Sequence, residues 1–365
     1  MKPGPLNLPD NAASTLPGPS APLGAGPSTP LGAGERDIIA AIRARVPAAP
    51  PWLLVGIGDD AAVVKPERGA LEILTTDALI EGIHFDRRFS TPRDIGWKAL
   101  AVNLSDVAAM GGTPRLALLS LGLPTGIPPD DLHDLVDGFL ALAADARVTL
   151  AGGNITRSPG PLMVNVTVTG FARARHVLTR GGGRAGDDLY VTGSVGAAAA
   201  GLGWLKEGKE SKGTKASKEL DGIDACVLRH RRPEPRVRMG ALLGRNRAAS
   251  ACMDLSDGLA DAVRQVAEAS GLGATIDAAA LPIPAAARAW FQRAALDPIV
   301  SAAAGGDDYE LLFAVPRRGR GRLATVVRQA RGLAITRIGQ LTRERPLVLV
   351  RDGVPEPLPS GFVHF

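Results

Sequence analysis

The stretch 100–114, LAVNLSDVAAMGGTP, anchors the hydrophobic pattern of the chain. Leu100, Leu104, Val107 and Ala108 recur at helical spacing, so one face of a central helix should bury in a core. Asn103 and Asp106 lie three residues apart and would look out together from that helix. Gly111, Gly112 and Pro114 then end it, glycine just past the last turn and proline soon after. A lone carboxylate on so apolar a helix makes sense if positive charge sits against it.

Upstream, Ile38, Ile39, Ile42 and Val46 predict an amphipathic helix from about residue 35, followed by strands at 53–57 and 71–76. Downstream come a strand at 116–121, a helix over 129–146 and strands at 148–151 and 162–170. In the last, Leu162, Val164, Val166 and Val168 alternate with Met163, Asn165, Thr167 and Thr169, the mark of a half-buried strand. The second half predicts a strand at 189–192, helices near 195–205, 234–243 and 257–270, and strands at 274–277 and 309–315. A helix near 320–331 and closing strands complete it. Strands and helices mix in both halves, which implies an α/β (α+β) fold in each.

At 365 residues, two domains are the natural expectation. The basic, glycine-rich run 172–184 divides them into 35–172 and 173–365. Residues 1–34 are rich in Pro, Gly, Ala and Ser and are expected to form a disordered tail. Residues 206–219, KEGKESKGTKASKE, are expected to form an exposed low-complexity insertion.

Composition changes this picture little. Hydrophobic content of 45% suits a globular core, and no apolar run approaches a membrane span. A net charge of +5 invites a nucleic-acid reading, but no basic stretch is interleaved with stacking aromatics, which are only 4% of the chain. Neither nucleic acid nor membrane is expected as a partner. Cys226 and Cys252 have no CxxC spacing, which suggests neither a disulfide framework nor a zinc site. No signal-type apolar core is legible at the N-terminus, so a cytoplasmic setting is expected.

Three glycine patterns imitate nucleotide loops. Gly56-Ile-Gly58-Asp-Asp-Ala61 follows a strand, yet Asp59 and Asp60 would repel a pyrophosphate unless a metal stood between. Gly181-Gly-Gly183-Arg-Ala-Gly186 leads into a strand rather than a helix. Gly203 to Lys209 approaches a P-loop, but Glu210 stands where Ser or Thr is required. None survives as a phosphate loop.

The stronger signal is acidic and dispersed. Short carboxylate clusters occur at Asp59-Asp60, Asp77, Asp106, Asp254 with Asp257, and Asp307-Asp308. Any one could be a turn or cap; Ser256 or Asp257 could cap a helix beginning near 258. Five clusters among small and apolar residues are harder to read as solvated surface. Assembled carboxylates repel, and metal ions are the usual remedy. With no His/Cys clustering the donors are hard oxygens, which selects Mg²⁺ or Mn²⁺ and points to phosphate chemistry. From spacing alone His84 reads as an ordinary half-buried histidine, and Arg180 could reach a phosphate or face solvent.

Taken together, seven segments resemble the thiamine-monophosphate kinase family, which uses ATP to convert thiamine phosphate to thiamine diphosphate. They are GIGDDAAVV (56–64), TTDALIEGIHF (75–85), KALAVNLSDVAAMGG (98–112), AGGNITR (151–157), LTRGGGRAGDDLYVTG (178–193), MDLSDGLADAV (253–263) and GGDDYELLF (305–313). Single motifs recur across the wider superfamily of aminoimidazole ribonucleotide synthetase-like enzymes. The resemblance implies an N-terminal α/β domain whose sheet pairs with a second subunit's in a homodimer, an α/β C-terminal domain, and an active site in the cleft between them. It implies magnesium binding by Asp60, Thr75, Thr76, Asp77, Asp106, Asp254 and Asp257, and ATP contact by Gly153, Asn154, Arg180 and Ser256. It puts His84, Asp307 and Phe362 at the thiamine phosphate, with Asp106 and Arg180 closest to the chemistry.

Two departures matter. Where the family pattern reads Gly-Gly-Asp-Thr-Thr, this chain has Gly-Gly-Asn154-Ile155-Thr156. Asn154 can still offer a metal its carbonyl oxygen but no charge, so one Mg²⁺ should bind more weakly. Where the family has Gly-Gly-Glu-Asp, this chain has Gly-Gly-Asp307-Asp308, one methylene shorter at a substrate contact. The acceptor phosphate is largely deprotonated at neutral pH and needs no general base. In-line transfer would then rest on metals and positioning, with Arg180 stabilising charge. Another ATP-dependent enzyme of the superfamily, or a binder of nucleotide or thiamine phosphate without turnover, are the alternative readings. The absence of a catalytic Cys near the N-terminus argues against a selenophosphate synthetase.

Overall fold

The computed structural model describes residues 35–208 and 221–361. The tail expected over 1–34, the insertion beyond residue 208 and Phe362 lie outside the described residues.

The chain opens with α1 (Glu35–Arg45) and a ribbon of β1 (Leu53–Val55) and β2 (Val63–Val64). Then come β3 (Leu71–Ile80), α2 (Pro92–Ala109), β4 (Thr113–Pro124), α3 (Pro129–Ala146), β5 (Thr149–Ser158) and β6 (Met163–Ala172). The long strands form a four-stranded sheet in the order β3-β6-β4-β5. Only β4 and β5 run parallel. The predicted alternation is present: Val164, Val166 and Val168 are buried, while Asn165 and Thr167 on the opposite face are half-buried.

The second half begins with β7 (Asp188–Thr192), α4 (Ala197–Lys206), α5 (Ile223–Arg231), α6 (Val237–Asn246) and β8 (Ala251–Asp254). It continues through α7 (Leu259–Ala269), β9 (Gly273–Asp277), α8 (Ala285–Arg293), α9 (Pro298–Ala304) and β10 (Leu311–Val315). It closes with α10 (Arg320–Gln329), β11 (Ile335–Thr342), β12 (Leu347–Arg351) and β13 (Val354–Pro357). Its seven-stranded sheet runs β13-β12-β9-β11-β7-β10-β8, antiparallel except between β12 and β9. The α/β character expected of both halves is realised.

Helix α2 is the pivot. A capping box starts it: the Thr91 hydroxyl accepts from the Asp94 N–H while the Asp94 carboxylate accepts from the Thr91 N–H. Gly111 ends it in the left-handed region at φ 70°. The sequence predicts one buried face, but α2 is buried nearly all round, with α3, β3 and β6 on the first-half side and α6 and β8 beyond. Asn103 is accordingly wholly buried and does not look out beside Asp106; its amide donates to the Ala99 carbonyl. The α6 contact is backbone-close, since a Cβ at Gly240 would stand 1.9 Å from the Ala108 carbonyl oxygen. A core cluster of Ala108, Ala109, Leu178, Met239, Leu243 and Phe313 joins the two halves there.

Several elements depart from the sequence pattern. β3 does not stop at Thr76 but runs to Ile80, placing Asp77 in mid-strand. β8 was not expected, because four buried residues ending in an aspartate carry no period. Helices α5, α8 and α9 were also not expected. α5 directly follows the low-complexity run, and the alanines of α8 and α9 blur the contrast on which periodicity depends.

Candidate active site

A cleft of about 710 Å³ lies between the halves. β3 contributes Asp77, α2 contributes Asp106, and the end of β8 with the following loop contributes Asp254, Ser256 and Asp257. Arg180 lines it from the connection before β7, and His84 and Asp307 line it as well. The period-two geometry of β3 points Ile73, Thr75, Asp77 and Leu79 towards α2 and leaves Leu74, Thr76 and Ala78 on the other face.

The carboxylates are held by hydroxyls. Thr75 Oγ1 donates to Asp106 at 2.5 Å, and Ser105 Oγ donates to the buried Asp254 at 2.7 Å. Burial pushes Asp77 up to about 6, with Asp106 adding to the rise. Burial pushes Asp254 up to about 7, again reinforced by Asp106. Asp106 is also raised by burial, opposed by the Thr75 hydrogen bond and the Arg180 charge. Arg180 is thus the positive charge set against Asp106, and its Nη1 donates to Gln265 at 2.6 Å. One guanidinium among these acids leaves a surplus of negative charge that a hard cation would relieve. Among the described residues no three His, Cys, Asp or Glu already close on a metal position. Such an ion would need oxygens from phosphate and water as well.

Two loops are fastened together by backbone. The N–H groups of Leu255, Asp307 and Tyr309 donate to Glu310, Ser256 and Leu255 respectively. The left-handed φ of Asp307 (69°) and Tyr309 (49°) turns successive side chains different ways. Asp307 enters the cleft and Tyr309 joins the first-half core. Asp308 accepts from the Gly196 and Ala198 N–H groups at the start of α4, and burial pushes it up to about 7. Glu310 accepts from Thr192 and Arg236, so two of the three GGDDYE acids, Asp308 and Glu310, are structural. Ser256 and Asp257 do not cap α7, because Gly258 occupies that position.

Four residues assigned by resemblance lie elsewhere. Asp60 is exposed in the loop after β1, Thr76 bonds Asn165 and Thr167 on the far face of β3, and Gly153 and Asn154 are exposed on β5. β3 and β5 are opposite edges of the sheet, three strand spacings or about 14 Å apart, so Asn154 cannot reach Asp77 within one chain. The sequence reading missed Lys98 and His230. Lys98 was legible in principle, being eight residues before Asp106 on α2, which is more than two turns and about 12 Å along its axis. His230 had no local signal.

The chain matches the family described as AIR synthase related protein, its N-terminal domain over residues 58–172 and its C-terminal domain over 184–352. Thiamine-monophosphate kinase of Salmonella typhimurium is 39% identical over 91% of this chain and 98% of the relative. The crystal structure of thiamine-monophosphate kinase from Stenotrophomonas maltophilia superposes with a TM-score of 0.75 at 36% identity, covering 88% of this chain and 96% of that one. AaThiL complexed with AMPPCP and TMP superposes with a TM-score of 0.71 at 32% identity, covering 85% and 92%.

Proposed function

This chain belongs to the thiamine-monophosphate kinases of the AIR synthase related family, and from that premise we infer how its cleft performs the reaction. It phosphorylates thiamine monophosphate with ATP, giving thiamine diphosphate and ADP. The observation that carries the reading is the convergence of Asp77, Asp106, Asp254, Asp257 and Arg180 in the same cleft as His84 and Asp307.

We propose that Asp77, Asp106, Asp254 and Asp257, with Thr75, hold Mg²⁺, and that Asp60, Thr76 and Asn154, which lie outside this chain's cleft, serve as ligands where a second copy brings them to it. Mg²⁺ bound there would neutralise phosphate charge, and the all-oxygen donor set suits it. Ser256 and Arg180 bind the nucleotide in this cleft, and Gly153, on the far edge of the sheet, joins them only from a second copy. Arg180, already facing Asp106, contributes a fixed positive charge to the transferring phosphoryl group. His84, Asp307 and Phe362 hold the thiamine phosphate. Lys98 and Asp106 are about 12 Å apart along α2, which suits a long acceptor lying between an acidic phosphate end and a thiamine end.

No proton has to be removed from an acceptor phosphate that is already ionised. The histidines support this reading: His84 Nδ1 accepts from the Ile80 N–H, and burial together with the Lys98 charge lowers His230 so that it stays neutral. The chain's task is to bring two polyanions into line and keep them there. We further propose a cytoplasmic homodimer. The face of the four-stranded sheet turned away from α2 carries Leu74 at 69% exposure, which suits pairing with a second copy.

The test is product analysis of the purified protein with thiamine phosphate, ATP and Mg²⁺. Thiamine diphosphate and ADP in equal amounts support the reading. Bound ATP with no product would overturn it in favour of a binding protein.

A further inference from the structure

We propose that Lys98 and His230 are positioning residues that fix the Asp307 carboxylate for the thiamine end of the acceptor, with Lys98 doing so across the cleft. The inference rests on the kinase reading above. Lys98 belongs to α2 of the first half, and its side chain is only 4% exposed. Nζ donates to Asp307 Oδ2 at 2.8 Å and to the His84 carbonyl oxygen at 3.1 Å. Both named partners are residues assigned to the substrate. Burying an ammonium is costly, and at this position an alanine or leucine would fit the apolar run of α2. A lysine there makes sense if its partners must be held.

From the other half, His230 at the end of α5 reaches the same oxygen, with Nδ1 3.3 Å from Asp307 Oδ2 and its side chain 4% exposed. Burial and the Lys98 charge lower its pKa, so a neutral ring lies beside the carboxylate, its buried Nδ1 satisfied by no hydrogen bond at this distance. Lys98 and His230 together keep Asp307 ionised, well below the usual carboxylate range. The backbone of Asp307 is itself set in the left-handed region.

This arrangement gives the shortened side chain a purpose. A glutamate could swing out to meet a ligand, whereas an aspartate reaches only what lies beside its own backbone. Held by an ammonium from one half and flanked by an imidazole from the other, Asp307 becomes a fixed anion in a cleft whose acceptor carries a cationic thiazolium ring. Lys98 also sets the distance between Asp307 and the turn bearing His84.

The test compares KM for thiamine phosphate, KM for ATP and kcat in Lys98→Met, Asp307→Asn, the double variant, His230→Gln and His230→Leu. Lys98→Met should raise KM for thiamine phosphate by roughly tenfold or more while KM for ATP stays within about twofold. The double variant should be no worse than Asp307→Asn, because Lys98 acts through Asp307. His230→Gln keeps a neutral polar group beside the carboxylate and should stay near wild type, while His230→Leu raises KM for thiamine phosphate severalfold. Unchanged KM in Lys98→Met, or an equal rise for both substrates, overturns the proposal. Should Lys98→Met fail to fold, equal KM values for the two His230 variants overturn it instead. A wild-type enzyme that makes no thiamine diphosphate would sink the kinase reading, a separate result.

Discussion

Asp106 accepts a hydrogen bond from Thr75, faces Arg180 and crowds both Asp77 and Asp254, so changing it alters the whole acidic end of the cleft. Asp106→Asn keeps an acceptor for Thr75 and removes only the charge. Turnover should fall at least about a hundredfold with the circular dichroism spectrum unchanged; near wild-type turnover would contradict the assignment. Asn154 offers the opposite experiment. Asn154→Asp should lower the Mg²⁺ concentration giving half-maximal rate severalfold, and an unchanged magnesium titration would remove Asn154 from the ligand set. At this scale Asp77, Asp106, Asp254 and Asp257 stand out in the sequence against small and apolar neighbours while Arg180 does not, and the structure lines one cleft with all five. Sequence alone could not separate Asp307 from Asp308: adjacent letters face a cleft and a helix end only because the backbone turns left-handed between them. Lys98 and His230 were missed because their partner is distant in sequence, 209 residues away for Lys98.

Among the elements, α2 carries the architecture. It supplies Lys98, Ser105 and Asp106 to the site while burying apolar residues against both halves. One of its close neighbours is α6, at Gly240. Glycine in a helix interior ordinarily costs about 1 kcal/mol relative to alanine. Here a Cβ would collide with the Ala108 carbonyl, so Gly240→Ala should instead destabilise by about 2 kcal/mol, read as a lower midpoint in urea unfolding. A higher midpoint would mean that the two helices can move apart freely. Long periodic elements such as α3 and β6 were legible because their buried positions follow one period. β8, α5, α8 and α9 were not, being short or rich in alanine, so that tertiary burial defines them more than local pattern does.

For the whole molecule, the buried acids tie stability to pH. Asp254 and Asp308 are pushed up to about 7 and Asp77 to about 6. The folded chain therefore keeps protons that the unfolded chain has lost above about pH 4, and these groups favour unfolding as pH rises from there to about 7. Without divalent cation the melting temperature should drop between pH 5 and pH 7.5. Mg²⁺ should restore part of the loss, and more at pH 8 than at pH 6, because its ligands must be deprotonated. A cation effect independent of pH would separate the acids from metal binding.

The central claim is that the two phosphates meet directly in the cleft, with no group of the chain carrying the phosphoryl between them. The stereochemical course with ATP chirally labelled at the γ-phosphoryl group measures this. A single in-line displacement predicts inversion of configuration at phosphorus in the thiamine diphosphate formed. Retention would reveal a phosphorylated enzyme intermediate and contradict the account.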